Sequence, residues 1–420
     1  MKIVSRRRRL TPVRAKNANG QANAKGEAPR FLTRGRPGPI LLALATVASA
    51  AAVAVPASAS ASTQAPPVAG HVYVNDNTAG TNTIGAFDRQ ADGTLTPQAR
   101  SPFTAGGAGT GKGLASQGAL QISPDGRFLI AVDVGSNQIS VLRVSDDGSL
   151  RLVRGGVVSS GGVLPVSVTI HDDLVYVANS GNGGGSNYTG FRLGYDGRLR
   201  PIAGSAVALP DGSQPGDVLF NGNGTKLAGA RIGTSLIDSF TVGDDGRLTA
   251  APGSPFPGQG LGPFGSEFRP TNPNQLFVSN AHNVGAGTGT VSAFSDSANG
   301  TLTSIGSSPF ADLQTAPCWV EITHDGRFLF TVNTGSGEIS RYSIAPGGAL
   351  TLLGSTPVGA TGGVGAVDAR LSPDGRTLFV DESRIGAVGA FAVNGGNLTE
   401  LASSPTSLPA GAAPAGIVAS

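Results

Sequence analysis

Cysteine is almost absent. Cys318 is the one thiol in 420 residues, so no intrachain disulfide can staple the fold and packing alone must hold it. Charge is scarce too: Asp, Glu, Lys and Arg make up 14% of the chain, which leaves stability to apolar contacts. The four histidines, His71, His171, His282 and His324, show no spacing with Cys or Asp that suggests a structural zinc site. No EF-hand loop is present. No G-x-S-x-G nucleophile elbow is present, and no helical period that would build its strand-to-helix turn. Gly106–Gly113 matches a phosphate loop only in outline, because Gly113 follows Lys112 where Ser or Thr is required and no helix follows; it reads as a flexible link. Nothing implies a metal or a cofactor.

The positive charge is misplaced. Of 30 Lys and Arg, eleven lie in residues 1–38 beside one acid, Glu27, and residues 39–61 carry no charge; the rest holds 19 bases against 26 acids. An acidic body is a poor match for nucleic acid, whose binding depends on cations neutralising phosphates. The basic leader, the apolar run Pro39–Val55 and the small residues of PASASAS read as an export signal over residues 1–61 with a long basic n-region, cleaved near Ala59 or Ala61. A retained membrane anchor is the alternative. The expected location is secreted or extracytoplasmic. Residues 62–70 form a Pro/Ala linker.

Glycine and proline are abundant, at 64 and 28, and they punctuate a repeat. Ser123–Leu150 reads turn, strand, loop, strand, turn. Ser-Pro-Asp-Gly suits a β-turn, an apolar run of strand length follows, Gly135–Asn137 breaks it, Gln138–Val144 alternates, and Asp147-Gly148 turns again. The pattern returns over His324–Leu350 and Ser372–Leu398. Its second turn is tracked by Gly93, Gly148, Gly197, Gly246, Gly300, Gly348 and Gly396, about 50 residues apart. That period, with about four short strands per unit, predicts an all-β, seven-bladed β-propeller of four-stranded antiparallel blades over residues 71–420. The blades are 71–107, 118–162, 164–212, 214–262, 263–314, 316–362 and 364–411. Blade one lacks an inner strand, and 413–420 resembles the openings of the other blades, so the C-terminal strand is expected to close the ring.

In a four-strand meander the uniform SPDG and DG turns share one face, and the long, variable loops share the other. Any site is therefore expected at the channel mouth on the long-loop face. The inner strands, aligned on their prolines, bring Ala119, Ser167, Asp217, Gly265, Trp319, Asp368 and Gly416 to one level. The next level holds Gln121, Thr169, Leu219, Glu267, Glu321, Arg370 and Val418. Two readings follow. The polar groups line a hydrated tunnel and pair with one another, or an acid among Asp217, Glu267, Glu321 and Asp368 acts as base while Arg370 holds an anionic substrate. His282, beside Asn280 and Asn283 on the long-loop face, is the one histidine placed for acid–base work; the other three are strand or turn residues.

SPDGRFLIAVDVGSNQISVL and DARLSPDGRTLFVDESRIGAVGAF resemble the seven-bladed lactonase family. It includes the propeller-type 6-phosphogluconolactonases and carboxy-muconate cyclase, and overlaps in style with YVTN-repeat propellers. The resemblance covers nearly all of 71–420. It implies a lactone site of inner-strand P-x-H motifs with a Glu and Arg pair in the last full blade. Here Arg370 matches the Arg, Asp368 stands where the family has Glu, and Asp133 and Gly135 match its Asp and Gly. Ala119 and Gly265 occupy the histidine positions, and the family's S-N-R-G becomes Asp381-Glu382-Ser383-Arg384, displacing the arginine by one. The resemblance implies a hydrolase opening, or forming, a small anionic lactone, and the chain is expected to be monomeric. Asp368, Arg370, Glu321 and Glu267 would be catalytic; Asp133, Asp217, Trp319, His282 and Arg384 would bind ligand. The competing expectation is a non-catalytic propeller that binds a ligand or a protein partner.

Overall fold

The Ser-Pro-Asp-Gly phrase folds through its hydroxyl. Ser123 Oγ donates to Asp125 Oδ1 at 2.6 Å and accepts the Phe128 amide at 3.0 Å, while Gly126 takes φ +71. Thr323 does the same with Asp325 and Phe328, and Ser372 with Asp374 and Thr377. Each hydroxyl closes the turn and directs the chain into its second strand. The DG turns hold Gly93, Gly148, Gly197, Gly246, Gly300 and Gly348 at positive φ. In the seventh repeat Gly395, not Gly396, carries the positive φ, because Asn394 and Asn397 pair directly across a two-residue hairpin.

The computed structural model describes residues 67–282, 285–359 and 365–420; the leader expected over 1–61 lies outside them. Seven antiparallel sheets form a seven-bladed propeller. The inner strands of blades two to seven are Leu120–Ile122, Pro165–His171, Pro215–Phe220, Pro263–Arg269, Pro317–Ile322 and Ala366–Leu371. Among the described residues the one helical element is a 3-10 turn at Val134–Ser136. In five blades the outer strand breaks and a short second piece rejoins the third strand. A serine hydroxyl fills the gap each time, as where Ser101 Oγ accepts the Ala86 amide at 2.8 Å and Ser308 Oγ that of Ala293 at 2.7 Å.

Strand alternation sends apolar side chains to both faces of each blade, and the buried ones gather into seven clusters, one per interface between neighbouring blades. The ring closes as the sequence predicts. Gly416–Ala419 pairs antiparallel with Val68–Asn75 and becomes the inner strand of blade one. That neighbour strand starts at Val68, three residues before His71, so the last part of the expected 62–70 linker is strand.

Candidate functional site

The channel is not an open tunnel. The link before blade two, Ser116–Gly118, crosses the axis and is buried. Gln117 N donates to Gly216 O of blade four at 3.0 Å. Its side chain donates to Ser266 O of blade five at 3.1 Å and Val320 O of blade six at 3.2 Å, and accepts the Val320 amide at 3.0 Å. Gly118 O accepts the Val168 amide of blade three at 2.8 Å. Gly118 N donates to Asp368 Oδ2 of blade seven at 3.4 Å, and Trp319 Nε1 to Ser116 O at 2.8 Å. Three residues thus tie five blades together and close the long-loop end of the channel. The crossing separates the long-loop mouth, where the site was expected, from the axial polar residues, and the cavity they line lies on its other side.

At Gly265, where the resemblance leads one to expect a histidine, the space is taken. A Cβ there would lie 2.1 Å from Gln117 Oε1 and 2.5 Å from Cys318 O. Gly265→Ala is therefore expected to destabilise the propeller by about 2–3 kcal/mol. Gln117→Ala in the same chain should restore only part of that, since the Cys318 carbonyl stays. Urea midpoints of the single and double variants check this.

The inner strands are sheet edges, so half their amides need acceptors from elsewhere. Side chains of the preceding blade supply them. Ser167 Oγ accepts Val218 N at 3.2 Å, and Thr169 Oγ1 accepts Phe220 N at 3.2 Å. Asp217 Oδ2 accepts Ser266 N at 2.9 Å. Glu267 Oε2 accepts Ile322 N at 2.8 Å, and Glu321 Oε1 accepts Leu371 N at 2.8 Å. The axial acids are thus structural through one oxygen. The second oxygen of Glu267 is left for chemistry, whereas Asp217 also accepts the hydroxyls of Ser266 at 2.5 Å and Ser167 at 3.4 Å.

Below the crossing lies a cavity of about 300 Å³. It runs from Gln117 and Gly118 to Gly222 and Pro270, which are exposed on the turns between the first and second strands of blades four and five. It therefore opens on the short-turn face. Gln121, Thr169, Asp217, Glu267 and Arg370 line it. Glu321 stands behind Arg370, its Oε2 at 3.5 Å from the guanidinium. Asp368 lies on the same inner strand and accepts from Ala369 N at 2.9 Å.

The charges are coupled. Burial, then Glu321, pushes the Glu267 carboxyl well above the usual carboxylate range, with Arg370 opposing. Burial likewise raises Asp217 and Asp368 to about 7. Glu321, and after it Asp368 and Glu267, raise Arg370, which stays a cation.

The other expected binding residues lie elsewhere. Trp319 is buried in the crossing and packs edge-on against Phe264 at 5.1 Å. Asp133 ends the second strand of blade two, fully buried, bonded to Ser140 and to Asn82 at 2.9 Å. His282 is exposed and packs on Gly262, and Arg384 is exposed on the second-to-third-strand turn of blade seven. None of these four lines the cavity. Gln117, absent from the expected residues, does line it.

Buried acids also fix how stability responds to pH. Asp76, Asp217, Asp368 and Glu382 are all raised to about 7, in each case chiefly by burial. Unfolded, such groups lose their protons in the ordinary carboxylate range; folded, they keep them until about 7. Across that window the folded chain holds more protons than the unfolded one, so stability falls as pH rises, then levels off above it. Urea unfolding at pH 5 and pH 8 is expected to differ by several kcal/mol in favour of pH 5.

Three comparisons bear on this geometry. The sequence profile of the family described as Lactonase, 7-bladed beta-propeller, matches residues 71–208 and 267–414. No curated protein matches the sequence. Among solved structures, a candidate 6-phosphogluconolactonase of Bacteroides uniformis superposes with a TM-score of 0.67 at 20% identity, covering 84% of this chain and 99% of that one. The periplasmic gluconolactonase of Pseudomonas aeruginosa gives 0.66 at 17%, covering 83% and 98%. A protein of Lactobacillus plantarum gives 0.66 at 18%, covering 84% and 99%. At these identities the structural likeness is one of fold. The profile match spans both halves of the ring, and with it the chain belongs to the seven-bladed β-propeller lactonase family.

Proposed function

We propose that this protein hydrolyses a lactone in the channel cavity, with Glu267 as general base and Arg370 as the cation that meets the developing oxyanion. The observation that carries this reading is that both groups, from blades five and seven, face one cavity closed behind them. Glu267 takes a proton from water, and the water oxygen bonds to the lactone carbonyl carbon. The oxyanion forms against the guanidinium, which Glu321 holds from behind. Collapse breaks the ring C–O bond, and the proton on Glu267 passes to the departing alkoxide, giving the hydroxy acid. Thr169 keeps its hydroxyl proton free while accepting from Phe220 N, and with the Gln121 amide it can position substrate hydroxyls. The Pseudomonas relative, named a periplasmic gluconolactonase, supports the substrate class, and the leader supports an extracytoplasmic setting.

The test is proton release from a panel of sugar-derived and muconate-derived lactones. Arg370→Ala is expected to lower kcat by about 100- to 1000-fold. Arg370→Lys, which keeps a charge beside Glu321, should lose less and stay folded. No turnover by the folded wild-type protein across the panel would overturn the proposal. It would favour the second reading, a channel that binds without turnover. One observation favours that reading: among the described residues no histidine lines the cavity.

A further inference from the structure

The cavity is built to accept hydrogen bonds and positive charge. Two carboxyls, Asp217 and Glu267, line it, and two more, Glu321 and Asp368, stand behind the single guanidinium of Arg370. That guanidinium is matched by Glu321, at 3.5 Å, and by the other three acids around it. The inner-strand amides, which elsewhere could cradle an anion, are already taken. Val218, Phe220, Ser266, Ile322 and Leu371 each donate to a side chain of the preceding blade. An entering phosphate or carboxylate would find one neutralised cation, no free amide row and two acids at close range.

We infer that the preferred ligand is a hydroxylated ring carrying a protonated amine, an amino-substituted sugar lactone or lactam, and that phosphorylated and carboxylated rings are rejected. The lactone identity of the ring rests on the proposed activity; the charge preference rests on the cavity walls. It replaces the anionic substrate that the sequence and the family resemblance lead one to expect. The ammonium would lie toward Asp217 and Glu267, whose raised carboxyls an adjacent cation draws back toward ionisation, and the hydroxyls would donate to the remaining acceptors. Arg370 then remains for a carbonyl oxygen.

Calorimetry on the wild-type protein at pH 7 tests this with three non-hydrolysable rings of one shape. They are gluconolactam, its 2-amino-2-deoxy counterpart and its 6-phosphate. The amino ring is expected to bind at least about 10-fold more tightly than the neutral one and to weaken as salt rises. The phosphate should give no measurable heat. Asp217→Asn, or Glu267→Gln if the first does not fold, is expected to shrink the preference for the amine several-fold. Equal affinities, tighter binding of the phosphate, or no binding of any ring would overturn the inference. The matching lactones, assayed for opening in parallel, keep the two ideas apart. If none opens while the amino-lactam binds first, the activity falls and the charge preference stands.

Discussion

A chain ending at Ala412 is expected to lose the cooperative unfolding transition of the complete propeller. Residues 413–420 are terminal in sequence but internal in the fold. Gly416–Ala419 is the inner strand of blade one, paired in register from Asn75 with Gly416 to Val72 with Ala419. Backbone bonds continue beyond the strand, from Ala413 N to Asp76 O at 2.7 Å and between His71 and Ser420 in both directions. Ile417 and Val418 are buried on opposite sides, one against blade seven and one against blade two. Each such side chain contributes about 1.5–3 kcal/mol on burial, and each backbone bond about 1 kcal/mol net. Their loss also exposes an edge on Val68–Asn75. The sum is on the order of 10 kcal/mol, comparable with the whole stability of a typical domain. Circular dichroism on heating should show a broad, shallow change or insoluble protein. A truncated chain melting within a few degrees of the complete one would refute the closure.

Glu267→Gln is expected to remove lactone opening while leaving the fold intact or slightly steadier. The amide oxygen of Gln can still accept the Ile322 amide that Glu267 Oε2 accepts at 2.8 Å. The substitution also relieves repulsion with Glu321 and removes a carboxyl that burial holds well above its ordinary range. A lost general base lowers kcat by about 100- to 10,000-fold. The raised carboxyl has a second consequence. Glu267 works as a base only when ionised, so wild-type activity should rise with pH and reach its plateau well above the usual carboxylate range. A variant that keeps full activity, or a profile flat from pH 5 to 8, would remove Glu267 from the chemistry.

The parts of this molecule governed by neighbours in sequence could be read from it. Turn chemistry gave the seven repeats, and the glycine at each DG turn marks a real left-handed position in six of them. Period-two alternation set the levels at which Asp217, Glu267, Glu321 and Arg370 face the axis, and four acids and an arginine were legible as one constellation. What escaped depends on contacts far apart in the chain. Nothing local in Ser116–Gly118 announces that it crosses the channel, because its partners lie 50 to about 250 residues away. Without that crossing, Gly265 looks like a missing histidine rather than a position already filled, and the channel looks open along its whole length. Asp133 was named by family resemblance, but Ser140 and Asn82 hold it at the end of a second strand, away from the cavity. The gap-filling serines Ser101, Ser254, Ser308 and Ser404 each precede a proline, but no role could be read for them from the sequence, because their purpose depends on the third strand they reach.

Which end of the channel admits the substrate separates this site from every other placement. Gly222 lines the cavity at its exposed end, and a Cβ there meets only Pro273 Cβ, at 3.9 Å. Gly222→Trp can therefore fill the mouth without disturbing the core. Leu261→Trp places the same indole at an exposed position in the link between blades four and five, on the long-loop face. The measurement is kcat/KM for lactone opening by the wild-type protein and these two variants, each with an unchanged melting temperature. Opening by the wild type, reduced at least about 10-fold in Gly222→Trp and unaltered in Leu261→Trp, is the predicted result. Opening that survives Gly222→Trp and fails in Leu261→Trp, or no opening by the folded wild type, would contradict it.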